Sequence, residues 1–507
     1  MLTTTCFHIA FALLAGTAGF AYFRNKGNTV AEAGAYGLMA MLMLQSWTSQ
    51  MALLAGWQRF HHFGLALISI PAIRIIAVHR SILEALVPVA GRFMRSHWLP
   101  CCALAVGWLI LAGLNVSGIG LNRAGAAAAV HPALAAGGGS IWGAACHAGS
   151  PALIVLNHAV TAALWQPAAA IATANLSAML IIALSTYALA RRYTWPATAA
   201  TVALLVVCMP RVVQQSLAVH SELLPAASVL TALLALYRGV EQPCAHDLAM
   251  LPAAVAFSVT GGRLCYLMPA VLTGLSLMVL RRRHPVRHWR KAVAAHGRAV
   301  LVASGAVLVF SQIANVAFNL ACDKAWIGVP ALEEVAFNMD GISGALANAG
   351  RYAFQSIHFP ESLDGFAQGT LGFRLSGALE AAYRNTIGAL LDGRGAAGTF
   401  RLSWAVRDPW GWFGPVGFFL VLPALGYALR RAPRRLKSTA AAMLAYFLAI
   451  ALILAWQPQN VRQLTVFFTG SGFITAFFLP PWRINRRGRL VLQLLSVLMA
   501  GYTLMNL

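Results

Sequence analysis

The sequence predicts an all-α polytopic membrane protein with about 14 transmembrane helices. Of its 507 residues, 59% are hydrophobic and only 10% are charged, and the mean hydropathy is +0.69. Apolar runs of about 20 residues, the length that spans the hydrocarbon of a bilayer, recur along the chain. Short clusters of basic residues separate these runs, as the positive-inside rule describes for cytoplasmic loops.

The apolar runs place the predicted crossings at residues 4–23, 31–55, 62–79, 98–118, 170–190, 196–212, 222–238, 248–259, 264–280, 299–320, 411–429, 439–457, 464–481 and 490–506. An even number of crossings leaves both termini on one side, and the basic clusters then all face the other. The abundance of arginine and alanine suggests a bacterial source. We therefore expect a multi-pass protein of a bacterial inner membrane, with both termini and the large loops on the periplasmic side.

Two of these crossings are weaker than the others. Arg74 interrupts the run at 62–79, and Gly261, Gly262 and Arg263 separate the run at 248–259 from the next one. A broken hairpin over 248–280 is one interpretation, and a single tilted helix is the other. The first run, 4–23, has no basic region before it, which indicates a retained helix rather than a cleaved signal peptide.

Two segments, 119–169 and 321–410, are too long and too polar to be turns, and both fall on the predicted external side. The first contains an Ala- and Gly-rich stretch. The second contains stretches with helical apolar spacing, GISGALANAGRYAFQSI and FRLSGALEAAYRNTIGALL. We expect short amphipathic helices there, lying over the end of the bundle.

Composition also excludes some classes of function. A net charge of +23 would suit a nucleic-acid-binding protein in a soluble chain. Here the basic residues follow the topology, and we expect no nucleic-acid partner. The eight cysteines form no CxxC or CxxH pattern, so the sequence indicates neither a zinc site nor a redox pair.

The carboxylates are unevenly distributed. Nine of the fourteen lie between Asp323 and Asp408, and none lies between Glu84 and Glu222. Because ionisable groups in a membrane protein are costly and usually functional, this distribution indicates where chemistry can take place.

Several stretches from residue 98 onward resemble bacterial glycosyltransferases of the GT-C superfamily, relatives of the protein O-mannosyltransferase and aminoarabinose transferase families. They are CMPRVVQQSLAVHSELLPAASVLTALLALYR at 208–238, LPAAVAFSVTGGRLCYLMPAVLTGLSL at 251–277, NAGRYAFQSIHFPESLDG at 348–365, GWFGPVGFFLVLPAL at 411–425 and LILAWQPQNVRQLTVFF at 452–468. The resemblance implies a GT-C-like bundle with two external loops. It divides the chain into three N-terminal helices (1–97), a transmembrane core (98–320), a large external loop (321–410) and four C-terminal helices (411–507).

The resemblance implies transfer of a sugar, hexosyl or pentosyl, from a polyprenyl-phosphate donor on the non-cytoplasmic side. Such a transfer needs a carboxylate in the first external loop to deprotonate the acceptor. It also needs a cation, either a basic side chain or a divalent metal, at the departing phosphate. This chain departs from the family in that loop, since residues 114–143 contain no carboxylate. Asn115, Asn122 and His131 are the polar candidates there besides Arg123, and asparagine cannot act as a general base.

Glu222 keeps an acid at the next external turn, and with His220 it could be a displaced catalytic acid or a metal ligand. The structural alternative is that Ser221 caps the helix and Glu222 complements its dipole. Arg462 and Arg263 are candidates for binding the lipid phosphate. The alternative role for Arg462 is that its side chain reaches the membrane interface. The alternative for Arg263 is a structural role at the break between the two apolar runs.

The acids of the large loop present a similar choice. The residues in question are Glu333, Glu334, Asp340, Glu361 and Asp364. They could form an acidic site, although charged loop residues are usually solvated.

Three functions follow from these observations. The first is a lipid-linked sugar transferase, with membrane lipids and a polyprenyl-phosphate sugar as ligands. The second is a non-catalytic structural or assembly subunit of a larger membrane protein complex, with segment 321–410 as the surface for membrane protein partners. A transporter ranks third, because few central positions of the helices are charged.

Overall fold

The computed structural model describes residues 2–54, 59–116, 167–217, 222–242, 244–258, 267–283, 295, 297–310, 337–357, 359, 361–391, 394, 396, 400–402, 404, 413–479 and 484–505. Within these ranges the protein is all-α, and β-structure is limited to two isolated β-bridges. This part of the chain confirms the all-α class, whereas the number of about 14 transmembrane helices stays a prediction.

The helices of the described residues are, in chain order, α1 (Leu2–Asn25), α2 (Val30–Leu54), α3 (Arg59–Val78), α4 (Arg80–Ser96), α5 (Trp98–Val116), α6 (Pro167–Ala190), α7 (Pro196–Val207), α8 (Pro210–Ser216), α9 (Leu223–Glu241), α10 (Ala245–Phe257), α11 (Leu267–Arg283), α12 (Gly297–Phe310), α13 (Gly341–Gln355), α14 (Glu361–Leu371), α15 (Leu375–Tyr383), α16 (Leu422–Arg431), α17 (Arg434–Ile453), α18 (Leu464–Gly472), α19 (Thr475–Phe478) and α20 (Arg486–Met505). The π-helical turn Arg384–Gly388 and the three-residue helix Ala389–Leu391 extend α15. The three-residue helix Gly414–Val416 and the π-helical turn Gly417–Val421 precede α16. A 3₁₀ turn, Pro458–Gln463, leads into α18.

The chain forms two compact units. The first comprises residues 1–192 and 215–331, and the second comprises residues 193–214 and 332–507. In the first unit α2 packs against α1, α3 and α6, while α9 packs against α6 and α10. Nearly every described residue of α9 is buried, so this helix forms the centre of the unit.

Small residues set the close approach of α1 and α2. A Cβ added to Gly37 would lie 2.5 Å from the backbone nitrogen of Phe20, and one added to Gly19 would lie 2.7 Å from the Cα of Gly37. Only glycine allows two helix backbones to pack at this distance, an arrangement common in membrane proteins.

In the second unit α17 packs against α13, α16 and α18, and α7 packs against α18 and α20. The segment before α13 covers the end of α17. Asn338 donates from its backbone N–H to the Ile453 carbonyl (3.0 Å) and from its side chain to the Leu452 carbonyl (3.0 Å). Asn348 of α13 donates to the carbonyls of Ala451 (3.1 Å) and Leu454 (2.8 Å). The carbonyls that a helix end leaves unsatisfied are therefore bonded by the external segment.

Three of the described helices are long and apolar enough to cross a membrane, namely α9, α17 and α20. The number rises to five if each of two bent pairs forms one span, α3 with α4 at 67° and α7 with α8 at 62°. α20 is the most exposed of the three, with 11% of its apolar window buried.

The positions of the helices agree with the predicted crossings, whereas the three to five helices or bent pairs of the described residues that could span a membrane are fewer than the fourteen predicted. Every predicted crossing coincides with at least one helix, and the two amphipathic stretches of segment 321–410 form α13 and α15. The run at 464–481 is divided into α18 and α19. Around the predicted break in 248–280, α10 ends at Phe257 and α11 begins at Leu267, with residues 259–266 outside the described ranges.

Candidate functional site

Glu222 lies directly before α9, at its N-cap position, and its side chain makes no capping hydrogen bond. The residue is 4% exposed. Its Oε2 accepts a hydrogen bond from Nε2 of Gln215 at 2.8 Å. The backbone carbonyls of Gln215 and Ser216 in turn accept hydrogen bonds from the side chain of Asn175. The carboxylate is thus held inside the first unit by a neutral amide.

The other predicted site residues are not brought together with Glu222 by any described contact. His220 and Arg263 lie outside the described residues, as does the first external loop from residue 117 to 166. Arg462 is exposed, in the 3₁₀ turn Pro458–Gln463 of the second unit. Its proposed role at a lipid phosphate and its interfacial alternative both agree with this exposure.

Acids of the large loop hold its helices together. Asp364 is buried, at 8% exposure, and accepts hydrogen bonds from the backbone N–H of Ser376 (2.9 Å) and from the Ser376 hydroxyl. The expectation that the loop acids are solvated is therefore wrong for Asp364. Glu380 pairs with Arg384 one turn later and accepts a hydrogen bond from the backbone N–H of Leu402 at 3.1 Å. Glu333 and Glu334 lie outside the described residues, whereas Asp340 and Glu361 are exposed.

A network of ion pairs joins helix ends of the first unit. We call it the buried ion network after its central residue Glu32, which is 3% exposed, although Glu241 at its edge is exposed. It consists of Glu32, Arg192, Arg238, Glu241 and Asp247. Glu32 is its centre, because Oε1 pairs with Nη2 of Arg192 at 2.8 Å and Oε2 pairs with Nη1 of Arg238 at 2.7 Å. Arg192 also pairs with Glu241 at 3.1 Å. These pairs connect the start of α2, the end of α6 and the end of α9.

Glu32 has a second role at the start of α2. Its Oε2 accepts a hydrogen bond from the backbone N–H of Thr29 at 2.9 Å, and its own N–H lies 3.4 Å from the Thr29 hydroxyl. This reciprocal pair is a capping box, which satisfies two donors that a helix start leaves free. The same carboxylate therefore fixes the helix start and balances two arginines.

Asp247 extends the network to α10. Its Oδ1 accepts a hydrogen bond from the hydroxyl of Tyr36 at 2.8 Å and lies 3.5 Å from Nε of Arg238. Its Oδ2 lies 3.7 Å from Nε2 of His246. Asn28, in the turn between α1 and α2, places its Nδ2 at 3.1 Å from that same imidazole nitrogen.

Burial changes the acid–base properties of two side chains in the first turn of α10. It raises the pKa of Asp247 from 3.8 to about 6, against the opposing effect of Tyr36 and Arg238. It also lowers the pKa of His246, and the nearby charges of Arg238 and Lys26 lower that pKa further. At neutral pH, Asp247 is therefore mostly ionised and His246 is neutral.

The sequence contains signals that point to this network. Five carboxylates lie outside the cluster at 323–408, and three of them belong to the network. Thr29 and Glu32 stand before an apolar run at capping-box spacing. In the prediction, Arg192 and Arg238 only mark the cytoplasmic side of the membrane. In the structure, each of them pairs with an acid from another segment of that same predicted side.

Comparisons of this chain with protein-family models, curated proteins and solved structures gave no match.

Proposed function

We propose that the chain is a multi-pass protein of a bacterial inner membrane, GT-C-like in architecture, that serves as a non-catalytic structural or assembly subunit of a larger membrane protein complex. One observation carries this proposal. The four buried carboxylates among the described residues are Glu32, Glu222, Asp247 and Asp364, and groups of the chain itself bind each of them. A catalytic base must reach its substrate, whereas these acids hold helices in place.

The clustering of helix ends supports the proposed topology of fourteen crossings. The turn at 26–29 and the segments around Arg192 and Asp247 all belong to the predicted cytoplasmic side, and the buried ion network joins them. On the predicted periplasmic side, Asn338 and Asn348 bond the end of α17. Segments assigned to one side thus meet at one end of their helices within each unit.

Exposed apolar side chains support a partner surface on segment 321–410. In and next to α13, Met339 is 90% exposed, Ile342 77% and Leu346 58%, and Phe366 of α14 is 67% exposed. Apolar groups in this number on a polar external segment are typical of surfaces that bind another protein or the membrane. We assign them to a membrane protein partner, because the exposed acid Asp340 lies between Met339 and Ile342 in the chain, and a polar rim around apolar side chains is typical of protein interfaces.

Co-purification from native membranes tests this proposal. We expect the affinity-tagged chain, extracted in mild detergent, to retain partner membrane proteins in fixed stoichiometry. The double variant Ile342→Asp/Leu346→Asp should lose them, since it places two charges on the exposed face of α13, while the chain itself elutes as a folded species. Gln368→Asp is the matched control, because this residue is exposed on α14 and the substitution adds one charge there. Equal recovery of partners with both variants would contradict the assigned surface.

A lipid-linked sugar transferase is the second candidate, and the position of Glu222 favours it. This acid lies at the predicted periplasmic start of α9, and its Oε2 accepts a hydrogen bond from the uncharged amide of Gln215. His220 would assist it, Arg462 and Arg263 would bind the lipid phosphate, and a divalent metal could serve as cofactor. Transfer of radiolabelled sugar from a polyprenyl-phosphate donor, abolished by Glu222→Gln, would establish this function and refute the non-catalytic one.

A further inference from the structure

We propose that Cys244, His246 and Asp247 form a binding site for a divalent transition-metal ion, with zinc as the expected occupant. Cys244 is the N-cap residue of α10, His246 and Asp247 lie in its first turn, and each of the three offers one donor atom. These thiol, imidazole and carboxylate atoms all lie within 4.8 Å of one another. A tetrahedral zinc ion with bonds of about 2.0–2.3 Å holds its donors roughly 3.3–3.8 Å apart, so small rotations of the side chains suffice.

An unsatisfied oxygen points to a ligand at this cluster. Asp247 is 1% exposed, and its Oδ2 accepts no hydrogen bond from the described residues. Leaving a buried carboxylate oxygen without a donor is costly. The oxygen faces Nε2 of His246 at 3.7 Å, which is a separation that two ligands of one zinc ion adopt.

The surroundings fix the imidazole and balance the charges. Asn28 is fully buried, and its side-chain N–H groups reach both Nε2 of His246 (3.1 Å) and the Phe23 carbonyl (2.8 Å). Metal on Nε2 would replace the first of these contacts and leave the second in place. Arg238 does not exclude a cation, because the carboxylates of Glu32 and Glu241 together balance the guanidinium groups of Arg238 and Arg192. A thiolate and the Asp247 carboxylate would together balance the charge of a divalent ion.

The donor set and its exposure indicate the kind of site. Sulfur, imidazole and carboxylate ligands suit zinc and cobalt rather than magnesium or calcium. Three protein ligands leave a fourth position for water or another ligand. Cys244 is half-buried and carries a free thiol, so the ion has a path from solvent. The C-x-H-D spacing differs from the CxxC and CxxH patterns, so the arrangement of cysteines in the sequence does not by itself indicate this site.

Metal titration of the purified full chain, carrying an affinity tag without histidines, tests the proposal. After chelator treatment and desalting, we expect added Zn²⁺ to bind at one ion per chain, as measured by elemental mass spectrometry. Cobalt should give a thiolate-to-metal charge-transfer band. Cys244→Ser should remove that band and weaken zinc binding by more than about 100-fold, which exceeds the typical loss for a second-shell partner.

Cys102→Ser is the matched control, because this thiol is exposed on α5 and lies outside the cluster. It should leave both the band and the affinity unchanged. Asp247→Asn is a weaker test alone, since Asp247 also binds Tyr36 and Arg238, whereas Cys244→Ser leaves the buried ion network intact. Absence of stoichiometric zinc in the unsubstituted chain, or a cobalt band that survives Cys244→Ser, would overturn the proposal.

Discussion

Replacement of Glu32 by glutamine should strongly destabilise the first unit. The side chain of Glu32 is 4% exposed and that of Arg238 is 9% exposed. Removing one partner of a buried ion pair costs about 3–5 kcal/mol, because the other charge stays buried without compensation. We expect a value near the lower end, about 3 kcal/mol, since Arg192 keeps Glu241 and Arg238 keeps Asp247. At about 2–4 °C per kcal/mol, the Tm should fall by roughly 6–12 °C.

Thermal unfolding of the detergent-solubilised chain, followed by intrinsic fluorescence, measures this change. Glu84→Gln is the matched control, because it removes the same charge from a pair with Arg80 whose side chains are 63% and 81% exposed. Exposed i,i+4 pairs on a helix contribute about 0.3–0.5 kcal/mol, so its Tm should change by no more than about 2 °C. If Glu32→Gln lowers the Tm no more than Glu84→Gln does, the network does not hold these helix ends together.

Two further substitutions test the packing of each unit by the same Tm measurement. Gly37→Ala should lower the Tm because its Cβ would lie 2.5 Å from the backbone of α1. Gly107→Ala is the control and should leave the Tm unchanged or raise it slightly, since alanine favours the helix and a Cβ there meets nothing within 4 Å. Equal effects would contradict the close approach of α1 and α2. Asn348→Leu should cost about 1–3 kcal/mol, because the two carbonyls that the amide now bonds would lose that donor. Gln368→Leu, at an exposed position that donates one 3.3 Å hydrogen bond, is its control and should change the Tm little.

The helical architecture followed from the sequence because apolar runs and helical spacing are local signals. The helices α9, α17 and α20 agree with predicted crossings, and α13 and α15 agree with the amphipathic stretches. The number of membrane spans could not be fixed in this way. Proline and glycine residues divide several runs into shorter helices, such as α7 and α8, and the relation of such pieces to the bilayer depends on packing.

The site was harder to predict because it consists of contacts between distant segments. Glu32 and Arg238 are 206 residues apart in the chain, and Tyr36 and Asp247 are 211 residues apart. Taken alone, Glu32 is an acid at a helix start and Arg238 is a basic residue at a membrane boundary, so neither residue predicts the contact. The resemblance singles out Glu222 by its position, but its burial and its bond to Gln215 depend on the packing of α6 and α9 within the first unit.

The mass of the particle extracted from native membranes distinguishes an assembly subunit from a stand-alone enzyme. Native mass spectrometry in mild detergent should give a species heavier than the 54.0 kDa chain, which dissociates into this chain and other membrane proteins in fixed ratio. This species should transfer no sugar from a polyprenyl-phosphate donor. A lone chain that transfers sugar, and loses this activity when Glu222 is replaced by glutamine, would contradict the proposed non-catalytic function.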